Sequence, residues 1–267
     1  MNHSLALAAE TIRQRLYEVF SATDSHDAQP PEVANHLLDG LYLDFLLRQP
    51  ERLRLSYGSN CVRRLWYAHH QPEQAEAKDG YARFKFLQAS VTERLLLAQL
   101  REALDGFPIS VGPPSNGQQL LTLDGVRGHP DQVLYCDGQP LALLEVKDTT
   151  EWSWKKWERG RLPDPIWGYR HQAANYLAAF RQAGTALAGV LWPCRVEERS
   201  SRGFRFECGW ATAAELLPYE TEARANFAAI PAMPAPPARP YPSPTTVPCG
   251  TDHKAYCPFR DHCWRTT

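Results

Sequence analysis

Two strands joined by a tight turn are predicted from one run of the sequence: Gly128-His129-Pro130-Asp131-Gln132-Val133-Leu134-Tyr135-Cys136-Asp137-Gly138-Gln139-Pro140-Leu141-Ala142-Leu143-Leu144-Glu145-Val146-Lys147. The dipeptide Asp-Gly between two apolar segments is a hairpin signal, because both residues tolerate the left-handed backbone of a short turn. An aspartate precedes the first strand, and the second strand ends in Glu-Val-Lys. This combination is typical of the ligand set of a metal-dependent phosphodiesterase.

Whether the hairpin loop has an even or an odd number of residues determines whether Asp131 and Glu145 lie on the same face of the sheet. A two-residue loop at Asp137-Gly138 would place Asp131 opposite Leu144, on the wrong face of the sheet. A three-residue loop, with Gly138 in the left-handed conformation, or a bulge in one strand would place Asp131 on the face of Glu145. We therefore predict an odd-length loop or a bulge in this hairpin.

The second strand is expected to be buried. Side chains alternate along a strand, so Glu145 and Lys147 should share one face, and Leu141 and Leu143 should lie on that face too. A surface strand ending in solvated charges is the alternative, because Glu-x-Lys triplets are common. The nearly continuous apolar run from Leu141 to Leu144 favours a buried central strand, where charged groups are costly.

The charged residues of this hairpin suit one chemistry. Asp131 and Glu145 provide the hard oxygen ligands that Mg²⁺ or Mn²⁺ prefers. Such an ion lowers the pKa of its bound water and neutralises charge on a phosphate that is being cleaved. Lys147 provides a compact cation that can orient the water or stabilise the leaving charge. The three residues together predict a nuclease.

Overall charge neither requires nor excludes nucleic acid, because the formal net charge is −1 for 267 residues. Any affinity for phosphate must come from local basic clusters, which lie at 48–54, at Arg63-Arg64 and at 155–161. The sequence contains no apolar run of membrane-spanning length, and its N-terminus lacks the pattern of a signal peptide. These features predict a soluble, cytoplasmic protein without a membrane partner.

Three regions are expected along the chain. Residues 1–55 form a helical region, with helices predicted for Ser4 to Phe20 and for Glu32 to Leu47. These helices are candidates for contacting a recombination partner protein or a second copy of the chain. Residues 56–230 form the core, and residues 231–267 form a proline-rich strap and a cysteine cluster that pack on the core.

Two helices of the core carry candidate site residues. The first is predicted to begin near residues 59–60, which can cap it, and it places Arg63 and Arg64 in early turns near a phosphate-binding end. The second spans residues 80–104 and places Glu93 on a largely apolar side, where an acidic residue is usually paired or metal-bound. Ordinary amphipathic packing is the alternative for the first helix, and a rim carboxylate is the alternative for Glu93.

Three tryptophans and two lysines follow the second strand. Trp154, Lys155 and Lys156 are candidate DNA-binding residues, because aromatic rings stack on bases and lysines contact phosphates. An aromatic edge of the core explains the tryptophans equally well.

A later helix is predicted from Tyr169 to Phe180. Its residues Gln172 and Tyr176 lie four apart and therefore share a face. They are candidates for contacting the substrate phosphate or for holding Lys147 and a water molecule. An ordinary amphipathic helix is the alternative.

Seven cysteines in a chain that is expected to be cytoplasmic indicate metal binding rather than disulfides. Cys136, Cys194 and Cys208 lie in or beside apolar strands, as core cysteines do. The remaining cysteines match the ligand number of an iron–sulfur cluster or a structural zinc site: Cys61, Cys249, Cys257 and Cys263. Their spacing leaves zinc open, with His253 and His262 as substitute ligands.

Several of these motifs resemble those of the PD-(D/E)XK nuclease superfamily, and in particular its RecB-like branch: Gly128-His129-Pro130-Asp131, Leu144-Glu145-Val146-Lys147 and Gln172-Ala173-Ala174-Asn175-Tyr176. Cys61 and the segment 257–263 are similar to the split cysteine cage of its iron–sulfur members, such as the AddB nuclease domain and CRISPR-associated exonucleases. The segment 58–67 resembles the opening of phage-encoded members. The resemblance covers residues 57–264.

The resemblance implies an α/β fold with a restriction-endonuclease-like core, in which helices flank a central mixed β-sheet. The implied ligands of Mg²⁺ or Mn²⁺ are Asp131, Glu145, the backbone carbonyl of Val146 and Glu93, which is the best match to the first motif. Lys147 is the implied catalytic lysine, and Gln172 and Tyr176 are its implied supports. Lys254 stands where relatives have a further cysteine, so Cys249 is the substitute ligand of an implied [4Fe-4S] cluster.

The implied function is that of a DNA exonuclease in recombination, repair or phage DNA processing. A structure-specific or restriction-type endonuclease is an alternative, because the same core serves both activities. A catalytically silent DNA-binding protein is a further alternative, although the complete set of site residues argues against it.

Overall fold

The structure is a computed structural model, which describes residues 2–21, 53–57, 61–76, 80–112, 119–165, 168–198, 203–243 and 257–265. Several predictions lie outside these ranges: the helix at 32–47, most of the basic cluster at 48–54, the residues at 59–60, and the candidate ligands Cys249 and His253.

The described α-helices are α1 (Asn2–Ser21), α2 (Val62–His70), α3 (Gly80–Ala103), α4 (Glu151–Trp154), α5 (Tyr169–Gln182), α6 (Ala213–Ala229) and α7 (Arg260–Arg265). The described strands are β1 (Ile109–Val111), β2 (Leu121–Leu123), β3 (Val126–Gly128), β4 (Gln132–Cys136), β5 (Gln139–Leu144), β6 (Lys147–Thr150), β7 (Gly189–Glu197) and β8 (Phe204–Thr212). Single 3-10 turns lie at Leu55–Tyr57, Pro72–Gln74 and Ile230–Ala232.

A mixed sheet forms the centre of the fold. The pairs β1–β4 and β4–β5 are antiparallel, β5 is parallel to β7, and β8 is antiparallel to β7. β6 is also parallel to β7 and keeps the register that β5 has with β7, so β6 extends the line of β5 along the same neighbour. β2 and β3 form a separate antiparallel hairpin. Parallel pairing requires a crossover connection, and the chain supplies one that contains α4 and α5. The predicted α/β fold with a central mixed sheet flanked by helices is confirmed.

Helices cover both faces of the sheet. On one face, Leu5, Ile12 and Leu16 of α1 are fully buried in a cluster that includes Leu144 and Leu191. The predicted apolar stripe of the first helix therefore belongs to the core and is not presented to a partner. The cluster on the other face contains side chains of α2, α5 and α6.

The β4–β5 hairpin contains the predicted irregularity. Asp137 and Gly138 both have positive φ, 49° and 73°, and they form a two-residue turn. The register then shifts by one residue, so that Leu134 pairs with Ala142 and Leu141 is left as an extra residue. The prediction of an odd-length loop or a bulge is confirmed as a bulge.

The bulge also changes the direction of one side chain. Leu141 and Ala142 both pack toward α1 and α3, because a bulge places two consecutive residues on one side. Leu143 packs in the opposite cluster, so the expectation that Leu141 and Leu143 share a face is wrong. Beyond Leu143 the strand alternates as predicted.

Other predicted boundaries shift slightly. α2 begins at Val62 rather than at residues 59–60, and its N-cap is Cys61, whose sulfur accepts a hydrogen bond from the Arg64 backbone N–H at 3.4 Å. The helices predicted for 4–20, 80–104 and 169–180 are confirmed with small changes at their ends. Across the described residues, no helix is both long and apolar enough to cross a membrane.

The start of α6 is held by a charged cap. Thr212 and Glu215 form a reciprocal capping box, and Arg161 donates two hydrogen bonds to the Glu215 carboxylate at 2.7 and 3.1 Å. The hydrogen bonds from Arg161 and Thr212 lower the pKa of Glu215 from 4.5 to about 2. A lowered folded-state pKa stabilises the fold above the ordinary pKa and loses that effect as the pH falls.

Glu215→Gln should lower the melting temperature at pH 7 by about 2–4 °C or less, because the ion pair is partly exposed. The difference from wild type should shrink as the pH falls from 4.5 to about 2, because in that interval Glu215 is protonated in the unfolded chain while it stays charged in the folded protein. Thermal unfolding followed by circular dichroism at several pH values measures this, with Glu102→Gln on α3 as an exposed control. A difference that is independent of pH would contradict the assignment.

Candidate active site

The bulge brings Asp131 beside Glu145. The backbone N–H of Asp131 donates to Oε1 of Glu145 at 3.4 Å, and the backbone N–H of Val146 donates to Oδ2 of Asp131 at 2.8 Å. The second bond forms in the two-residue gap between β5 and β6. Asp131 is thereby held at the point where the central strand is interrupted.

Lys147 completes this cluster at the start of β6. Its ammonium Nζ lies 3.0 Å from Oε2 of Glu145, whose side chain is fully buried, while the Lys147 side chain is 11% exposed. The same nitrogen lies 5.1 Å from the ring centre of Tyr169, at the start of α5. The sequence prediction that Glu145 and Lys147 point in the same direction agrees with this contact.

The cluster contains more acidic groups than basic ones. Burial raises the pKa of Asp131 well above its ordinary value, and the carboxylates of Glu145 and Glu93 raise it further. Burial alone would lower the pKa of Lys147, but Glu145 and Asp131 together raise it above its ordinary value. Glu93 of α3 is therefore close enough to act on the charge of Asp131. The carboxylates outnumber the one lysine, and a cation would relieve their repulsion.

Helix α5 supports the cluster from one side. The Tyr176 hydroxyl donates to the His129 backbone carbonyl at 2.8 Å, and Gln172 forms a side-chain hydrogen bond with Tyr176. Burial and the charge of Glu145 raise the pKa of Tyr176, so its hydroxyl stays protonated. These contacts fix the backbone that leads into Asp131.

Two supporting residues are absent from the sequence-based assignment. Asn175 is fully buried and donates to the Leu55 carbonyl at 2.8 Å, which ties the segment at 53–57 to α5. A Cβ on Gly128 would lie 2.7 Å from the Leu55 Cβ and 2.8 Å from Cε1 of Tyr176, so only glycine fits there without movement. The signal for Asn175 was an amide within an otherwise apolar helical stretch, which usually indicates a buried hydrogen bond.

The donor set suits a hard divalent cation. In the part of the chain that the structure describes, no three His, Cys, Asp or Glu side chains come close enough together to hold a metal ion by themselves. Mg²⁺ is usually held by one or two carboxylates and keeps several waters, so the pair Asp131 and Glu145 fits this mode of binding. The backbone carbonyl of Val146 and the Glu93 carboxylate remain predicted additional ligands.

The predicted DNA-binding arginines of α2 lie near the cysteines. Arg63 is 8% exposed, and its guanidinium donates to Sγ of Cys263 at 3.1 Å and to the Pro237 carbonyl at 2.6 Å. A guanidinium that is enclosed in this way is not available to a DNA phosphate. Arg64 is half-buried and lines a cavity together with Cys61, Cys257 and Cys263, and its contact with DNA remains a prediction.

The tryptophans after β6 divide between core and surface. Trp154 is 8% exposed and packs on Trp157, with ring centres 4.6 Å apart. A ring at this depth is not available to a base, so the alternative of an aromatic core edge describes Trp154. Lys155 and Lys156 are exposed, and Lys155 pairs with Glu151 at 2.8 Å.

Three of the four predicted cysteine ligands line one cavity. Cys61 comes from the N-cap of α2, whereas Cys257 and Cys263 come from the C-terminal segment. The described residues do not bring three such groups within ligating distance of one another, and Cys249 lies outside them. The ligand set of a cluster is therefore not complete in the described residues. The predicted core cysteine Cys194 is fully buried.

Comparisons with known proteins give no family assignment. No protein-family model matches the chain, and no curated protein matches it. Among solved structures, the chain is similar to SSO0001, with 12% identity, a TM-score of 0.33, and coverage of 72% of this chain and 83% of that one. It is also similar to the alkaline exonuclease LHK-Exo from Laribacter hongkongensis, with 16% identity, a TM-score of 0.34, and coverage of 66% and 89%.

Asp131→Asn should stabilise the metal-free fold by about 0.5–2 kcal/mol, because it removes a negative charge beside Glu145 and Glu93 while keeping an acceptor for the Val146 N–H. The same change should abolish stabilisation by Mn²⁺. Urea unfolding with and without Mn²⁺ measures both effects.

Asp124→Asn is the matched control, because Asp124 is a partly exposed carboxylate paired with Arg224 at 2.8 Å. It should cost less than about 1 kcal/mol and leave the response to Mn²⁺ intact. An Asp131→Asn protein that is destabilised without metal and still stabilised by Mn²⁺ would show that Asp131 is not part of a cation site.

Proposed function

We propose that this chain is a metal-dependent nuclease that hydrolyses phosphodiester bonds in DNA. The observation that carries the proposal is the buried cluster of Asp131, Glu145 and Lys147 at the interruption of the central strand. Charged groups in such a place are destabilising unless they bind or react. The motif resemblance to RecB-like PD-(D/E)XK nucleases supports the same proposal.

Asp131 and Glu145 would hold the cation, with the Val146 carbonyl and Glu93 as further ligands. When bound, a divalent cation supplies an activated water and neutralises charge on the scissile phosphate. The two carboxylates are already fixed before any ligand arrives, Asp131 by the Val146 N–H and Glu145 by Lys147. Preorganised ligands of this kind lose little freedom on binding.

Lys147 acts as a cation and not as a base. Its pKa is raised by Glu145 and Asp131, so its ammonium is charged at neutral pH and can only donate hydrogen bonds. A fixed positive charge beside the phosphate stabilises negative charge that develops during cleavage. Gln172 and Tyr176 hold the approach to Asp131 through the His129 carbonyl and are positioning residues in this scheme.

We propose exonuclease action on DNA ends, in recombination, repair or phage DNA processing, as the particular activity. The same cluster would serve an endonuclease, and a silent cluster would leave a DNA-binding protein. Circular and linear substrates separate these cases directly.

Glu145→Gln and Lys147→Met should each reduce cleavage of end-labelled DNA by about 10²-fold or more, because the first removes a ligand of the cation and the second removes a positive charge beside the phosphate. The assay uses linear and circular DNA, single- and double-stranded, with Mg²⁺ or Mn²⁺. Arg224→Met, which removes a partly exposed ion pair with Asp124, should retain wild-type activity.

Degradation of linear DNA alone would support an exonuclease, whereas nicked or cut circles would support an endonuclease. DNA binding without cleavage by the wild-type protein with either metal would contradict the nuclease proposal. Equal activity of Lys147→Met and Arg224→Met would contradict the role of Lys147.

We also propose that the cysteine cavity holds a [4Fe-4S] cluster, completed by Cys249, with zinc as the alternative. The support is that Cys61 and the C-terminal pair line one cavity although they are far apart in sequence. No catalytic step depends on this centre, which would serve to attach the C-terminal segment to α2.

Cys263→Ser should remove most of the bound metal, because it deletes one of the proposed ligands. Protein purified without oxygen is analysed for iron, sulfide and zinc, with Cys136→Ser at the β4–β5 turn as the control. Wild-type protein without either metal, or equal metal content in the two variants, would contradict the proposal.

A further inference from the structure

The segment that follows β6 carries two buried tryptophans and one exposed tryptophan. Thr150 caps α4 by accepting a hydrogen bond from the Ser153 backbone N–H at 3.3 Å, and this short helix orients the tryptophans. Trp154 and Trp157 are buried, whereas Trp152 is 57% exposed. Among the tryptophans that the structure describes, Trp152 alone is mainly exposed.

The buried rings form a rigid base. Trp157 packs against Trp154 at 4.6 Å and edge-on against Trp192 of β7 at 6.0 Å, measured between ring centres. A Cβ on Gly209 would lie 2.5 Å from Cζ3 of Trp157, so β8 approaches this ring as closely as glycine allows. The segment that carries Trp152 is therefore anchored to the sheet on its inner side.

The exposed side carries an aromatic ring and a cation. Nζ of Lys156 lies 3.4 Å from the centre of the Trp152 ring. The neighbouring Lys155 is paired with Glu151 at 2.8 Å, whereas the Lys156 ammonium lies against the exposed ring. An exposed indole beside a lysine matches the two parts of a nucleotide, because the ring stacks on a base and the ammonium contacts a phosphate.

The segment that carries this pair packs, through Trp154 and Trp157, on the side of the sheet to which Lys147 belongs. Lys147 is in register with Cys194, which belongs to the core cluster that also contains Trp154 and Trp157. The Cα atoms of Lys147 and Trp152 are at most about 18 Å apart, the length of five extended residues. A strand bound at the Asp131–Glu145–Lys147 cluster would need only a few nucleotides to reach Trp152.

We propose that Trp152 and Lys156 bind an unpaired nucleotide of the DNA strand whose phosphate lies at the proposed active site. The inference rests on the proposed nuclease function and adds a substrate preference to it. A single strand exposes base faces to an indole, whereas the bases of a duplex are already stacked on one another. The site thus favours single-stranded DNA or a single-stranded end.

The test uses a Glu145→Gln background, so that DNA is not cut, and measures binding to a fluorescent single-stranded oligonucleotide and to a fluorescent covalently closed duplex circle, which has neither ends nor unpaired loops. Trp152→Ala should weaken single-strand binding by about 5- to 100-fold, and duplex binding by less than about twofold. Trp152→Phe, which keeps an aromatic face, should restore most of the affinity.

Phe204→Ala is the matched control, because Phe204 is another exposed aromatic residue beside an arginine, Arg195, but on the opposite face of the sheet. It should bind both DNAs as the parent protein does. Equal losses on single strand and duplex, no loss in Trp152→Ala, or no single-strand binding by the parent protein would each overturn the stacking site.

Cleavage assays on the wild-type background separate this inference from the nuclease proposal. If wild type cuts DNA while Trp152→Ala binds single strands normally, the nuclease stands and the stacking site is wrong. If single-strand binding depends on Trp152 but wild type cuts nothing with either metal, the stacking site stands and the nuclease proposal is wrong.

Discussion

One extra residue in a β-strand is the constraint on which the site depends. With the two-residue turn at Asp137-Gly138 alone, the register of the β4–β5 hairpin would place Asp131 opposite Leu144. The bulge at Leu141 shifts that register, so Asp131 meets Glu145 instead. Residues beyond the hairpin then follow from ordinary strand alternation. Without the bulge the two carboxylates would lie on opposite faces of the sheet.

The site is assembled at an electrostatic cost that the rest of the sheet must offset. Glu145 has no solvent exposure and has Lys147 as its ion-pair partner, while Asp131 and Glu93 add further negative charge nearby. Paired charges in a protein interior seldom add net stability, because desolvation consumes most of their attraction. Stability must come from elsewhere, and the fully buried apolar residues of β7 on both sides of the sheet are the clearest source.

Much of the fold follows from local pattern. Apolar spacing predicted α1, α3 and α5, and the conflict between turn length and strand parity predicted an irregular hairpin. Which residue would be extra was not predictable, because every apolar residue of β5 suits a bulge equally well. The reversed direction of Leu141 is a direct result of that choice.

Burial explains the residues that the sequence places incorrectly. Arg63 and Trp154 are residue types typical of a nucleic-acid surface, but both are buried. Arg63 bonds to Pro237 and Cys263, which are distant in sequence, and Trp154 packs on Trp157 in the core. The residue type indicates which ligands a side chain could bind, whereas tertiary packing determines whether the side chain is accessible to them. The close approach of Gly128 to Tyr176 could not be predicted for the same reason, because it joins β3 to α5, which is distant in sequence.

The topology of β7 has a consequence for the order of folding. The β4–β5 and β7–β8 hairpins join neighbouring strands and can form from contacts that are local in sequence. The parallel pairing with β7 must close the whole crossover through α4 and α5, and this loop closure is slow compared with hairpin formation. The Glu145 backbone N–H is bonded to the Leu191 carbonyl of β7 at 3.0 Å, and Tyr176 lies within the crossover itself. A chain that has formed both hairpins but not this pairing can bring Asp131 beside Glu145, but it lacks the β7 bond to the Glu145 backbone and the Tyr176 bond to the His129 carbonyl, so the cluster is held in place only after this long-range pairing has formed.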